Sequence, residues 1–157
     1  MAVEHSTLTT TDLHEPKGVA AASADQLYIA NGSASGAWTA ADNNIYLFGT
    51  INDVSTAASF WLPSPCTGVI TKVHTIINGA IATADAVLTF EIGGVLITDA
   101  GSNNLTITQS GSAAGDVDTM TPTGARTLAI GSKLEMITAG ASTNTIIAQI
   151  VFTVTPT

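Results

Sequence analysis

Residues 60–98 read FWLPSPCTGVITKVHTIINGAIATADAVLTFEIGGVLIT. Within them Ala86, Leu88, Phe90 and Ile92 alternate with Val87, Thr89 and Glu91, the period-two pattern of a strand with one buried face. Gly93-Gly94 follows, then Val95-Leu96-Ile97. Two glycines between β-rich runs predict a two-residue hairpin, because a type I′ turn needs positive φ at both central positions. That turn pairs Ile92 with Val95 and Phe90 with Ile97, with all four on one face. Upstream, Val69, Val73 and Ile77 are interleaved with Ile70, Lys72, His74 and Ile76, which predicts a longer strand covered at least partly on both faces. The Pro63-Ser64-Pro65 kink separates it from Phe60-Trp61-Leu62. The reading for this stretch is an antiparallel β-sandwich.

The same signals recur at short, regular spacing on either side. Ile45, Leu47, Gly49 and Ile51 alternate with Tyr46, Phe48 and Thr50. Leu105 and Ile107 alternate with Thr106 and Thr108, and residues 117–121 form a weaker candidate. Residues 127–130 and 134–138 flank Gly131-Ser132, a second tight-turn candidate. Ile146, Ala148, Ile150, Phe152 and Val154 then lie on one face of a long closing strand, which is expected to sit centrally in its sheet. Eight to ten short strands without a helix of ~10 residues predict an all-β, jelly-roll-like sandwich over residues 44–157. No internal repeat appears.

Residues 1–43 differ. They have little amphipathic period, with turn signals at Gly18, Asn31-Gly32 and Gly36 and a single short strand candidate at residues 27–30. An Ala-rich run near residues 19–24 is too short for a stable helix on its own. Leu13, Val19, Leu27, Tyr28, Ile29 and Trp38 make the segment too apolar for a tail that meets only water. It is read as an extended arm that orders against a partner.

Composition narrows the function classes. Of 157 residues only 10% are charged, against ~25% in an ordinary soluble domain. The four basic residues, Lys17, Lys72, Arg126 and Lys133, are scattered among 12 acidic ones, giving a net charge of −8. Without a basic patch to neutralise phosphates, nucleic acid is not the expected partner. No run reaches the ~18–20 apolar residues of a membrane span, and the N-terminus lacks a basic region followed by an apolar one, so neither a membrane helix nor a secretory signal is expected. Cys66 is the only cysteine, expected as a small buried hydrophobe.

Candidate chemistry is sparse. His5, Asp12, His14 and Glu15 are close in sequence but match no metal-ligand spacing, so polar contacts to a partner are the preferred reading. His74 and Cys66 lack a nucleophile motif around them. Glu91, Asp99, Asp116, Asp118 and Glu135 are the only carboxylates placed for glycoside chemistry. Asp116 and Asp118 flank Val117 and project on one side, where a solvated edge is a commoner arrangement than a calcium site. The GSAAG run at residues 111–115 does not join a strand to a helix, which excludes a phosphate loop. Trp38 reads as an interface anchor and Trp61 as core, the commoner roles for an isolated Trp beside a strand than a saccharide-stacking platform. No catalytic residue, cofactor or metal is expected.

One resemblance covers most of the chain. TLTTTDLHEPKGVAAASADQLYIANGSASGAW (residues 7–38) resembles a segment of tailed-bacteriophage head-decoration, head-fibre and some tail-fibre proteins, most specifically at Leu13-His14-Glu15-Pro16-Lys17-Gly18-Val19. Residues 68–123 resemble the β-sandwich of capsid decoration, or cement, proteins. The resemblance implies a non-enzymatic virion structural protein, made in the host cytoplasm and carried on the capsid exterior as a homotrimer bound to the major capsid protein. It places the arm against the lattice, with Leu13, His14, Glu15, Pro16, Lys17, Tyr28 and Trp38 as contact residues. The alternative is a receptor- or carbohydrate-binding module of a head or tail fibre.

Overall fold

The computed structural model describes residue 23, residues 26–30 and residues 36–157. The chain divides into two units, residues 1–43 and residues 44–157. In the first, β1 (Gln26–Ala30) and β2 (Gly36–Ala40) pair antiparallel, so the one short strand expected there has a partner that was not foreseen.

The second unit contains the remaining strands: β3 (Ile45–Ile51), β4 (Ala58–Pro63), β5 (Gly68–Ile77), β6 (Ala86–Ile92), β7 (Val95–Leu96), β8 (Thr98–Asp99), β9 (Leu105–Ile107), β10 (Val117–Met120), β11 (Pro122–Gly124), β12 (Thr127–Leu128), β13 (Lys133–Thr138) and β14 (Ala148–Pro156). They build two antiparallel sheets packed face to face, a β-sandwich, with no helix among the described residues. The first sheet has the order β10-β5-β14-β3, with β12 also on β5. The second has the order β4-β13-β6-β7, with β9 also on β6. β8 and β11 form a small ribbon beside them. As expected, the closing strand β14 is central, hydrogen-bonded to β3 and β5.

Alternation fixes what each sheet buries. In β3, Leu47, Gly49 and Ile51 point inward, and in β14 Ala148, Ile150, Phe152 and Val154 do. β6 contributes Ala86, Leu88 and Phe90, and β13 contributes Leu134, Met136 and Thr138. Phe90 and Phe152 are fully buried and meet edge to face between the sheets. Each such side chain contributes on the order of 1.5–3 kcal/mol of burial. Thr138, the polar inward residue of β13, is satisfied by donating its hydroxyl to the Val54 carbonyl at 2.9 Å.

The Gly93-Gly94 hairpin has φ of 59° and 87° at its two glycines and pairs Ile92 with Val95. The Ile97 N–H donates to the Phe90 carbonyl at 2.8 Å, completing the expected register. Val95 is nevertheless exposed, because the hairpin tip runs past the end of the core. β5 departs from simple alternation. Gly68 and Ile70 are buried, then Val73, Thr75 and Ile77. Thr153 and Val154 of β14 pair with Lys72 and Ile70, leaving Thr71 as an extra residue, a β-bulge. The bulge shifts the inward set by one residue, which is how a run apolar at both parities keeps one buried face.

Candidate functional site: the outer faces of the two sheets

The residues left outside by this alternation form two unlike surfaces. On the first sheet, Phe48, Val151, His74 and Thr119 lie in one row across β3, β14, β5 and β10. Thr50, Gln149, Ile76 and Val117 form the next row, and Tyr46, Thr153 and Lys72 another. Phe48 is 71% exposed, and Ile76, Val117 and Tyr46 are exposed as well. His74 Nδ1 lies 2.9 Å from the Thr119 hydroxyl. No carboxylate projects from these rows. At their end an open depression of about 350 Å³ is lined by Ile76, Ile77, Asn78, Gly115, Ile147 and Gln149.

The second sheet presents a polar face with one large aromatic. Trp61, expected in the core, is 56% exposed. Its neighbours Phe60 and Leu62 pack against the core, so strand alternation sends Trp61 outward. Glu135 sits directly opposite Trp61, and Glu91 directly opposite Glu135 on the other side. Lys133 Nζ is 3.7 Å from the Glu135 carboxylate and 5.9 Å from the centre of the Trp61 ring. Hydrogen bonds from the Ser59 hydroxyl and the Trp61 indole N–H, with the nearby Lys133 charge, hold the Glu135 carboxyl below its usual range. That is opposite to the raised pKa a glycosidase general acid needs.

The other candidates fall elsewhere. Asp116 and Asp118 share a shallow depression with Thr108, Ser110 and Ser112. Asp116 accepts the Ala113 N–H at 2.6 Å. Asp118 lies on the inward parity of β10, where partial burial, with repulsion from Asp116, raises its pKa. Asp99 caps its own loop by accepting the Gly101 and Ser102 N–H groups. Cys66 is half-buried at the core margin, and the Ser64 hydroxyl donates to its carbonyl at 2.8 Å. His74 lies six residues into β5, roughly 20 Å along the strand from its start, so the two are not brought together. Among the described residues no group of three or more His, Cys, Asp or Glu is placed to hold a metal, and no helix is long and apolar enough to cross a membrane.

Of the arm residues singled out as contacts, Tyr28 and Trp38 are cross-strand partners, with ring centroids 5.3 Å apart and an interplanar angle of 61°. The Trp38 indole nitrogen is buried without a hydrogen-bond partner among the described residues. Leu13, His14, Glu15, Pro16 and Lys17 lie outside the described residues. The Trp61–Glu135–Glu91 row was missed from sequence, although the alternation of FWLP held the signal: a core assignment for Phe60 and Leu62 excludes one for Trp61. No family model matches the chain, and no curated protein matches it.

Proposed function

We propose that this is a non-enzymatic structural protein of a phage virion, bound as a homotrimer to the outside of an assembled head, where it decorates or stabilises the lattice of the major capsid protein. The observation that carries the reading is the outer face of the β10-β5-β14-β3 sheet. The chain has a net charge of −8, yet among the described residues no carboxylate stands in the rows of that face, which expose Phe48, Ile76 and Val117. Copies of an acidic protein can approach one another there without like-charge repulsion, and the apolar area gained favours contact. Contiguous exposed apolar surface on an otherwise well-packed domain marks an interaction site.

The face measures about 450 Å² from strand spacing and rise, roughly half of what one partner gives to a standard interface. One such contact is weak. A closed ring in which each copy makes two contacts, reinforced by the arm on a repeating lattice, converts weak contacts into stable occupancy through effective concentration. The resemblance of residues 7–38 to phage head-protein segments supports the assignment of the arm to the capsid, with Tyr28 and Trp38 meeting edge to face in a ready-made aromatic contact.

The test uses heads assembled without this protein. The full chain saturates them. Deletion of residues 2–40, or the double substitution Tyr28→Ala/Trp38→Ala, abolishes binding while leaving the sandwich folded. Saturation of heads by the deletion variant overturns the arm–capsid contact, and a full chain that ignores heads overturns the whole reading.

A further inference from the structure

We infer that the outer face of the β4-β13-β6 sheet is a saccharide-binding platform for a neutral hexopyranosyl unit, with Trp61 as the stacking surface and Glu91 and Lys133 as the groups that meet its hydroxyls. It stands beside the head-binding reading and does not depend on it.

Tryptophan is highly buried on average, so one more than half exposed in mid-strand is the informative kind of exception. Trp61 is also held in place. Glu135 faces it across the β4–β13 ladder, Lys133 Nζ lies over the ring 5.9 Å from its centre, and Pro63 flanks it two residues on along the same face. An aromatic surface fixed before binding loses little conformational entropy when a ligand lands on it. Its electron-rich face attracts the weakly positive C–H groups of a pyranose ring, as it attracts cations.

The polar groups beside it have the matching layout. Trp61, Glu135 and Glu91 lie in one row over three neighbouring strands, about 10 Å across, which is the span of two pyranose rings. Two carboxylates directly opposite each other in a ladder repel and destabilise the pair. Glu135 is compensated by Lys133 at 3.7 Å and by its two hydrogen-bond donors. Among the described residues Glu91 has no such set of donors, and sugar hydroxyls placed over the row supply them. The 57% exposed Lys133 provides an adjacent donor. With two carboxylates against one ammonium the face is net negative, which disfavours sialic and uronic acids and selects neutral sugars.

A single stacking ring gives weak affinity per site, in the millimolar range, but many copies on one particle multiply it. The test is titration of the purified full chain with methyl β-galactoside, methyl β-glucoside, lactose and cellobiose, followed by tryptophan fluorescence and calorimetry, with sialyllactose and digalacturonate as anionic counterparts. At least one neutral sugar is expected to bind saturably. Trp61→Ala weakens it more than 10-fold, Trp61→Tyr retains part of it, Glu91→Gln weakens it about 3- to 10-fold, and Ala114→Ser, at an exposed site in the loop before β10 of the other sheet, leaves it unchanged. Absence of saturable binding to any neutral sugar, binding indifferent to Trp61→Ala, or a preference for the anionic sugars overturns the inference. Head binding by Trp61→Ala is expected to be unchanged. Its loss would make Trp61 a capsid contact, removing the saccharide site while leaving the head-binding reading intact.

Discussion

Phe90 of β6 and Phe152 of β14 meet edge to face, with ring centroids 5.3 Å apart and ring planes at 89°, and so tie the two sheets together at the centre of the sandwich. Both are fully buried. Truncating either to Ala leaves a cavity that the two paired sheets collapse into only partly, at an expected cost of about 3–5 kcal/mol. The double substitution should cost less than the sum, with a coupling of about 0.5–1.5 kcal/mol from the aromatic pair. Urea denaturation of the four members of the cycle measures it. A coupling of zero would mean that the rings act only as volume.

Two glycines should respond differently to Ala. A Cβ on Gly49 would press on the Met136 Sδ and lie 2.8 Å from its Cε, the far end of a flexible side chain. A Cβ on Gly68 would lie 2.7 Å from the Thr155 backbone oxygen and 2.7 Å from Val154 Cγ1, inside the β5–β14 ladder. Methionine can shift; a ladder carbonyl cannot. Gly49→Ala is therefore expected to cost about 1 kcal/mol and Gly68→Ala about 2–3 kcal/mol. Met136→Ala should relieve the first and leave the second unchanged, as read by denaturation midpoints.

These packing details separate what the sequence carries from what it does not. The strand pairs around Gly93-Gly94 and the inward set of β14 follow from local turn chemistry and strict alternation. The β5 bulge does not, because GVITKVHTII is apolar at both parities and only the pairing of Ile70 and Lys72 with Val154 and Thr153 reveals Thr71 as extra. β2 escaped because GAWTA is short and, Trp38 apart, built of small residues, so it becomes a strand only through its partner β1. Trp61 was misplaced for a related reason: three consecutive apolar residues look like core until Phe60 and Leu62 are both turned inward. The Trp61–Glu135–Glu91 row joins residues far apart in sequence on three strands, and topology alone assembles it.

The exposed row on the first sheet predicts a change in association. Phe48→Glu or Val117→Glu places a carboxylate where none projects, at sites exposed enough that the fold should tolerate it. Each is expected to shift the proposed trimer to monomer in sedimentation velocity while changing stability by no more than about 0.5 kcal/mol. Raising the salt concentration should partly restore association, since the introduced repulsion is screened. A protein that stays trimeric with both substitutions places its contacts elsewhere.

Two aspartates should give opposite pH signatures. Asp53 accepts the Ser55 N–H and hydroxyl and the Thr56 hydroxyl, which lowers its pKa below 3.8. Its stabilisation is present above the unfolded-state value and is lost as pH falls through the lower folded-state value. Asp53→Asn should therefore lower the melting temperature at pH 7, with the difference shrinking at strongly acid pH. Asp118 behaves in reverse. Partial burial on the inward side of β10, together with the Asp116 charge, raises its pKa above 3.8, so ionising it costs more in the folded chain than in the unfolded one. No penalty exists well below pH 3.8; it grows as pH rises through the folded-state pKa and is complete at neutrality. Asp118→Asn should raise the melting temperature at pH 7 by roughly 1–2 °C, a modest figure because solvent screens a partly exposed group, and should make no difference near pH 2.5. Thermal melts of the wild type and both variants from pH 2.5 to pH 7 test the pair, and curves of the same sign would contradict the opposite environments of the two carboxylates.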